Sequence, residues 1–306
     1  MNITVSGYIN RRRISNLLWS VFRAALIFSI CFIIIYPLLL KLSLSIRGVE
    51  DIYNPTVVWI PQHFTLDHYR TAFTFMNYPR AFMESLGLAF TVTLIQTFIC
   101  ALSGYSFARL KFRGQGIVFA LVIFTIVVPP QTIIITRYMT FLNFWPLGGV
   151  RLINTYWPFI ISAITGIGIN TGLFIYLYRQ FFRSIPKELE EAAMVDGTSV
   201  FKIFTKIILP NATPMLITVA LFSFVWQWND AYYVTLYMNN ANVVSINVLS
   251  IAADIVARSG GIFIDYSAVS LAVNAGMMLT IAPLIIIYLF MQRHFVEGIE
   301  RSGIVG

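Results

Sequence analysis

Two cysteines, Cys31 and Cys100, and three histidines, His63, His68 and His294, are the side chains of this 306-residue chain best suited to nucleophilic attack or metal ligation. Their spacing suits neither. The cysteines fall in separate apolar runs and read as small buried hydrophobes, and the histidines are too scattered for a metal site. There is no glycine-rich phosphate loop ending in Lys and Ser or Thr, no GxSxG, no HExxH and no pair of carboxylates inside an apolar run. The chain therefore reads as a non-enzyme, with no catalytic residue, no metal and no cofactor of its own. One stretch does place charged and small residues at regular spacing: Phe182 to Pro210, FRSIPKELEEAAMVDGTSVFKIFTKIILP. What it offers is electrostatic and mechanical rather than covalent.

That stretch predicts two short helices with a glycine between them. Ser184 is expected to cap the first, with Pro186 in its first turn, and Glu188, Glu190 and Glu191 near the positive end of its dipole. Gly197 suits the left-handed position past a helix end, and Thr198 or Ser199 can cap the second helix. Val200, Phe204, Ile207 and Ile208 recur at helical spacing until Pro210 is expected to break the run. Helices of about ten residues are marginal alone in water, so these need a surface to dock on.

The rest of the chain supplies a membrane. Hydrophobic residues make up 58% and charged residues 11%, with a mean hydropathy of +0.77, far from the composition of a soluble domain. Six charge-poor windows match the ~20 residues needed to cross a bilayer: 24–40, 85–108, 115–136, 153–178, 211–229 and 267–292. The asparagine-rich stretch 231–253 is placed outside the bilayer. If the N-terminus is cytoplasmic, 14 of the 21 basic residues fall inside, among them Arg11, Arg12, Arg13, Arg109, Lys111, Arg113, Arg179, Arg183 and Lys187. The net charge of +8 is thus mainly a topology signal and does not point to nucleic acid. The expected architecture is an all-α integral membrane protein with six transmembrane helices and both termini cytoplasmic. Its parts are an N-terminal segment (1–23), a first span with an external loop (24–80), a transmembrane core (81–292) holding the loop 182–210, and a tail (293–306). The loop 45–79 is expected to form an external subdomain, and 238–266, with Gly260 and Gly261, a second external element. Pro37, Pro129, Pro130, Pro158 and Pro283 are expected to kink spans, and Gly168 with Gly172 forms a GxxxG in the fourth.

Within 182–210, Glu191-Ala192-Ala193, then Gly197, then Ile207-x-Leu209-Pro210 resembles the EAA loop of the membrane subunits of binding-protein-dependent ABC importers. The resemblance extends over nearly the whole chain to the permeases of the maltose-type carbohydrate uptake family, the smaller of the pair above all. Gly104-Tyr105-Ser106-Phe107-Ala108-Arg109-Leu110-Lys111-Phe112-Arg113-Gly114 is similar to that family's turn between spans two and three. Val128-Pro129-Pro130-Gln131, Asn154-Thr155-Tyr156-Trp157 and Trp228-Asn229-Asp230 follow in the family's order. Glu84-Ser85 stands where the family has Asn-Ser, and the tail lacks its usual lysine.

The resemblance implies a type I importer permease fold with cytoplasmic coupling helices, in the bacterial cytoplasmic membrane. It implies a heterodimer with a second permease, two ATPase subunits carrying ATP and Mg, an extracytoplasmic solute-binding protein, and a sugar as cargo. ATPase coupling then falls to Glu188, Glu191, Ala192, Ala193, Asp196 and Gly197, with Ile207, Leu209 and Pro210 ending the loop and Gly303, Val305 and Gly306 of the tail reaching the ATPase. A polyol or phosphorylated glycerol is the alternative cargo, and a secondary transporter the remote one. Gln131, Thr132, Trp226, Gln227, Trp228 and Asn229 offer the amphipathic chemistry that sugars need, although tryptophans near a span end also serve as interfacial anchors.

Overall fold

The computed structural model describes residues 3–258 and 265–303, with side-chain surroundings for 15–258 and 265–293. Among them all regular structure is helical, apart from two isolated bridges that pair Arg47 with Phe64 and Phe144 with Val150. The helices are α1 (Ile3–Ser45), α2 (Asp67–Phe75), α3 (Tyr78–Arg109), α4 (Gln115–Val127), α5 (Ile134–Leu142), α6 (Trp157–Ile164) and α7 (Thr171–Ser184). They continue as α8 (Glu188–Val195), α9 (Val200–Ile203), α10 (Leu209–Asn211), α11 (Thr213–Trp228), α12 (Tyr232–Tyr237), α13 (Val244–Arg258) and α14 (Tyr266–Gly303). Two compact units result, one of residues up to 72 together with 252–279, the other of 73–251 with residues from 280 on.

Three helical segments are long and apolar enough to cross a membrane: Ser15–Ser45, Tyr78–Arg109 and Tyr266–Arg293. They contain the expected windows 24–40, 85–108 and 267–292. The third window, 115–136, is instead bent by 105° between α4 and α5, where Pro129 and Pro130 cannot supply backbone N–H groups. The fourth, 153–178, divides into α6 and α7 around Thr165–Asn170, with Gly166 and Asn170 at positive φ. Pro158 therefore starts a helix, as a first-turn proline does, rather than kinking one. Gly168 lies in the break, so Gly168 and Gly172 do not share a helix face as a GxxxG would. The fifth window sits in α11, which turns 82° from the segment Val200–Asn211.

Large apolar side chains face outward on these helices: Phe28 and Ile33 on α1, Ile117 and Val127 on α4, Phe290 on α14. Cys31, expected to be buried, is exposed because α1 is apolar all round and hides none of its window inside the chain. Cys100 is buried, as expected.

In the first unit the loop after α1 is a structured element, not a linker. Asp51, 1% exposed, accepts hydrogen bonds from the backbone N–H groups of Gln62 (2.8 Å) and His63 (2.9 Å) and lies 2.7 Å from His63 Nδ1. Buried Arg47 donates to Val58 O (2.8 Å) and Ser43 Oγ (3.1 Å). The side-chain bond and charge of Asp51 raise the His63 pKa. Burial disfavours the charged Asp51, but the His63 and Gln62 hydrogen bonds outweigh it and lower its pKa.

The second unit is built around α3, which packs on α7 and α11. Gly104 sets the α3–α7 distance, since a Cβ there would lie 2.5 Å from that of Tyr178. Inside the interface, Gln96 Nε2 donates to Ile169 O (2.6 Å) and Thr171 Oγ1 (2.8 Å), while its Oε1 accepts from Ser223 (2.7 Å). One side chain thus joins three helices by satisfied polar bonds, the condition under which a buried amide is tolerated in an apolar core.

Candidate functional site

The segment 182–210 is not a loop lying on a surface. Phe182, Ile185, Ala193, Ile203, Phe204 and Ile208 are buried in the same core as Tyr105 of α3 and Tyr178 of α7. The Tyr105 ring meets those of Phe204 at 5.1 Å and Phe182 at 6.0 Å, and Tyr178 stacks on Phe182 at 5.7 Å. The segment is therefore packed against α3 and α7 through close-packed rings, and shares the core with Met215 and Val219 of α11.

Ser184 does not cap the first helix. It is the last residue of α7, and its hydroxyl bonds back to Phe181 O at 2.7 Å. Helix α8 begins after Lys187, with Glu188, Glu190 and Glu191 in its first turn. At its other end Gly197 has φ +74°, Gly197 N–H bonds to Met194 O (3.0 Å) and Thr198 N–H to Ala193 O (3.0 Å). This pair of bonds is the Schellman ending, which a left-handed glycine makes possible. The following helix departs from a regular period. After α9, residues Phe204–Ile208 form a π-helical turn, so Ile203, Phe204 and Ile208 are buried while Val200, expected on the same face, is exposed. Pro210 does not break the run: it lies within α10, and the bend comes after it, at Ala212.

The three carboxylates of α8 separate by environment. Glu190 is buried, with Oε1 2.7 Å from Arg109 Nε and Oε2 accepting from Tyr105 OH at 3.2 Å. Arg109 also donates to the carbonyl of Ile185. Glu188 and Glu191 are exposed, as are Ala192, Asp196 and Gly197, while Ala193 is buried. Leu189, Met194 and Val195 add exposed apolar area to the same short helix, Val195 at 88%. Of the loop-end residues, Ile207 and Leu209 are half-buried and Pro210 is exposed. Sequence reasoning missed Glu190 and Arg109 as a pair; the usable signal was that Glu190 lies one position before the EAA triplet, on the opposite side of α8 from Glu188. Gly303 ends α14, whereas Val305 and Gly306 of the expected tail contact lie outside the described residues, as do Gly260 and Gly261.

The expected pathway residues are not brought together. Trp228 is buried, donates to Thr280 O at 3.2 Å and packs on Phe82 and Phe224. Gln131, Thr132, Trp226 and Asn229 are exposed. Gln227 alone reaches a small cavity of about 10 Å³, lined also by Val92, Arg137, Ser162, Tyr233 and Tyr237. That volume suits roughly one water. Ser162 Oγ and Gln227 Nε2 are buried there without a hydrogen-bond partner among the described residues, so both are open to a polar guest. Arg137 approaches the Tyr233 ring at 5.1 Å and donates to Ile167 O. Ser162, Arg137 and Tyr237 were not anticipated, since the break between α6 and α7 that exposes them to Gln227 has no signal beyond Gly166 and Gly168. No group of histidine, cysteine or acidic residues among the described residues could hold a metal.

At the start of α3 the residues are tied by several separate bonds, one of them an ion pair within the helix. Ser85 Oγ accepts from Val244 N–H (2.8 Å), Glu84 accepts from Tyr156 OH (2.8 Å) and Arg80 Nε (2.8 Å), and Asn154 N–H donates to Tyr237 O (2.7 Å). Beyond α11, Asp230 accepts from Tyr233 N–H (3.0 Å) through one oxygen while the other has no partner among the described residues. Burial raises its pKa to about 6 against the lowering effect of backbone bonds from Tyr233 and Tyr232.

The model of the family described as "Binding-protein-dependent transport system inner membrane component" matches residues 96–301. The osmoprotective compounds uptake permease protein GgtD of Synechocystis is 30% identical over 91% of this chain and 90% of its own. The alpha-glucoside transport system permease protein AglG of Rhizobium meliloti is 31% identical over 85% of this chain and 64% of its own. A chain of the crystal structure of a bacterial ABC transporter involved in import of the acidic polysaccharide alginate aligns over 92% of this chain and 98% of its own. The TM-score is 0.71 at 22% identity, so the two share a fold.

Proposed function

Because the chain belongs to the binding-protein-dependent transport system inner membrane components, we propose that it is one of two permease subunits of an ATP-driven sugar importer and couples to separate ATPase subunits through α8. As a permease it is no enzyme; hydrolysis, with its ATP and Mg, falls to the partner ATPases. Six spans with both termini inside, a second permease and an extracytoplasmic binding protein complete the proposal, and the names of relatives such as AglG support a sugar as cargo.

The observation that carries this reading is the division of α8. Its inner side is fixed by Glu190 on Arg109, and its outer side offers Glu188, Glu191, Ala192, Asp196 and Gly197, with Leu189 and Val195, to a partner. An element of eight residues with exposed apolar groups is not stable alone and fits an ATPase cleft. When the ATPase pair closes, displacement of α8 moves Arg109 and hence α3, while the packed rings of Tyr105, Phe182 and Phe204 carry it to α7, and Met215 and Val219 in the same core carry it to α11. The spans then tilt as rigid bodies, and the pathway opens to the other side. Ser162 and Arg137 are proposed to meet sugar hydroxyls along that pathway, together with Gln131, Thr132, Trp226, Gln227, Trp228 and Asn229.

Substituting valine at Gly197 tests the coupling. A β-branched residue is strained at φ +74°, although there is open space around the position. Gly197→Val is expected to abolish uptake and its stimulation of ATPase activity while the chain remains inserted. Uptake and ATPase rates equal to those of the unaltered assembly would sink the proposal.

A further inference from the structure

A second cavity lies beside the buried ion pair, with a volume of about 660 Å³. Its wall carries five cations, Arg109, Lys111, Arg179, Arg183 and Lys187, against two carboxylates, Glu190 and Glu191, a net charge of +3. Arg109 is committed to Glu190, and Arg179 lies 3.9 Å over the Phe119 ring while donating to Phe107 O at 3.3 Å. Lys111, Arg183 and Lys187 have no carboxylate within ion-pairing distance among the described residues. Three like charges held around one concavity without partners repel one another, and an anion placed among them relieves that repulsion. Apart from Gln115, whose amide donates to Phe107 O at 2.9 Å, the remaining wall is apolar, with Phe107, Leu110 and Phe119, and continues into α4, none of whose residues is buried.

We propose that this cavity binds a phosphate ester, and that the headgroup of an anionic phospholipid is its source. The chemistry required is a monoanion with several acceptor oxygens, which lysines and Arg183 can surround. A free phosphate would satisfy the cations alone. A phospholipid also uses the apolar side, because its chains can follow Ile117, Val118 and Leu121, which are exposed along α4. In the proposed orientation the cavity opens at the inner face of the membrane, where anionic headgroups attract basic residues. Its occupant would neighbour Glu190 and Glu191 and so bear on the position of α8.

The test uses the complete assembly, reconstituted with phosphatidylethanolamine plus either phosphatidylglycerol or phosphatidylcholine, and native mass spectrometry to count retained lipids. Phosphatidylglycerol should be retained preferentially, and the variant Lys111→Gln/Arg183→Gln/Lys187→Gln should reduce that retention at least about tenfold. The charge-preserving variant Lys111→Arg/Arg183→Lys/Lys187→Arg should keep it, which separates charge from folding. If lipid retention shows no preference but inorganic phosphate raises the melting temperature of the original assembly and not of the glutamine variant, the anion site stands with a soluble source. The proposal is overturned if the glutamine variant changes neither property, or if it sheds ATPase subunits while retaining lipid unchanged. Unchanged uptake in Gly197→Val, with phosphatidylglycerol retention intact, would count against the coupling role of α8 and leave this site standing.

Discussion

The two ends of α3 are held in opposite ways. At its last turn, one buried ion pair, Arg109 with Glu190, joins it to α8, and the helix it holds presents most of its residues outward. At its first turns, Ser85 and Glu84 accept from Val244 and Tyr156, and Asn154 and Asp230 tie the neighbouring segments by short neutral or backbone bonds. A helix of 32 residues spans about 48 Å, so the two ends lie a membrane's thickness apart. Many weak bonds to several elements fix a frame, because losing one leaves the others in place. A polar contact gathered on one side chain, Glu190 with Arg109 and Tyr105, makes a joint, because load entering through that small element reaches the frame at one place.

The largest effect belongs to the joint. Removing one charge, by Arg109→Met or Glu190→Leu, leaves the other buried without a partner and should destabilise the docking of α8 by about 3–5 kcal/mol. Proteolysis within 185–200 would report the release, and uptake should be lost. The double variant should recover protection from proteolysis, since a volume-matched apolar pair is often as stable as a buried ion pair. It should not recover full uptake if the pair transmits force. Full uptake in the double variant would make the pair a mere anchor and break the comparison.

How much of this was legible in the sequence differs between the two ends. The spacing from Glu191 to Pro210 was readable because helix endings obey local rules, and Gly197 lies in the left-handed turn it predicted. The partner of Glu190 was not readable, because the contact spans 81 positions from Arg109 and three glutamates in one turn look alike without a tertiary neighbour. Pro210 misled for a related reason: a π turn upstream absorbs the missing donor, so the helix passes through it and bends at Ala212. Hydropathy located apolar windows but not their breaks, since Gly166 to Asn170 interrupts a helix without interrupting the apolar run. The pathway residues scattered because four neighbours at the end of α11 point in different directions round a helix, so only Gln227 reaches the cavity.

At the frame end the next effect is a pH dependence. Asp230 has its pKa raised from 3.8 to about 6, so the folded protein holds this proton more tightly than the unfolded chain. Below about pH 4 both states are protonated and the group is neutral in its effect. Between about pH 4 and 6 the unfolded chain ionises first, and folding stability falls until both are charged. Asp230→Asn should remove that fall, worth about 3 kcal/mol, and its melting temperature should exceed that of the original chain at pH 7 but not at pH 4. A constant difference across the range would mean that the carboxyl does not titrate in this window. Because the loss is spread over a many-bonded frame, uptake should persist in this variant, unlike those at Arg109.

The smallest effect sharpens what a frame means. Asn154 has φ +64° and makes two bonds to one neighbouring strip of chain: its N–H to Tyr237 O at 2.7 Å, and its Oδ1 from Asn239 N–H at 2.8 Å. Asn154→Ala keeps the first, loses the second and puts a Cβ-bearing residue without a local side-chain bond into the left-handed region, costing about 1–2 kcal/mol. Asn154→Gly also loses the side-chain bond but is free of the conformational penalty. If the frame depends on backbone geometry, glycine should recover most of the melting temperature lost by alanine. The Asn239 N–H lies in an exposed bond that water can replace, which favours this outcome. Equal losses for alanine and glycine would locate the effect in the Asn239 bond, making this end dependent on single contacts, as the Arg109 end is.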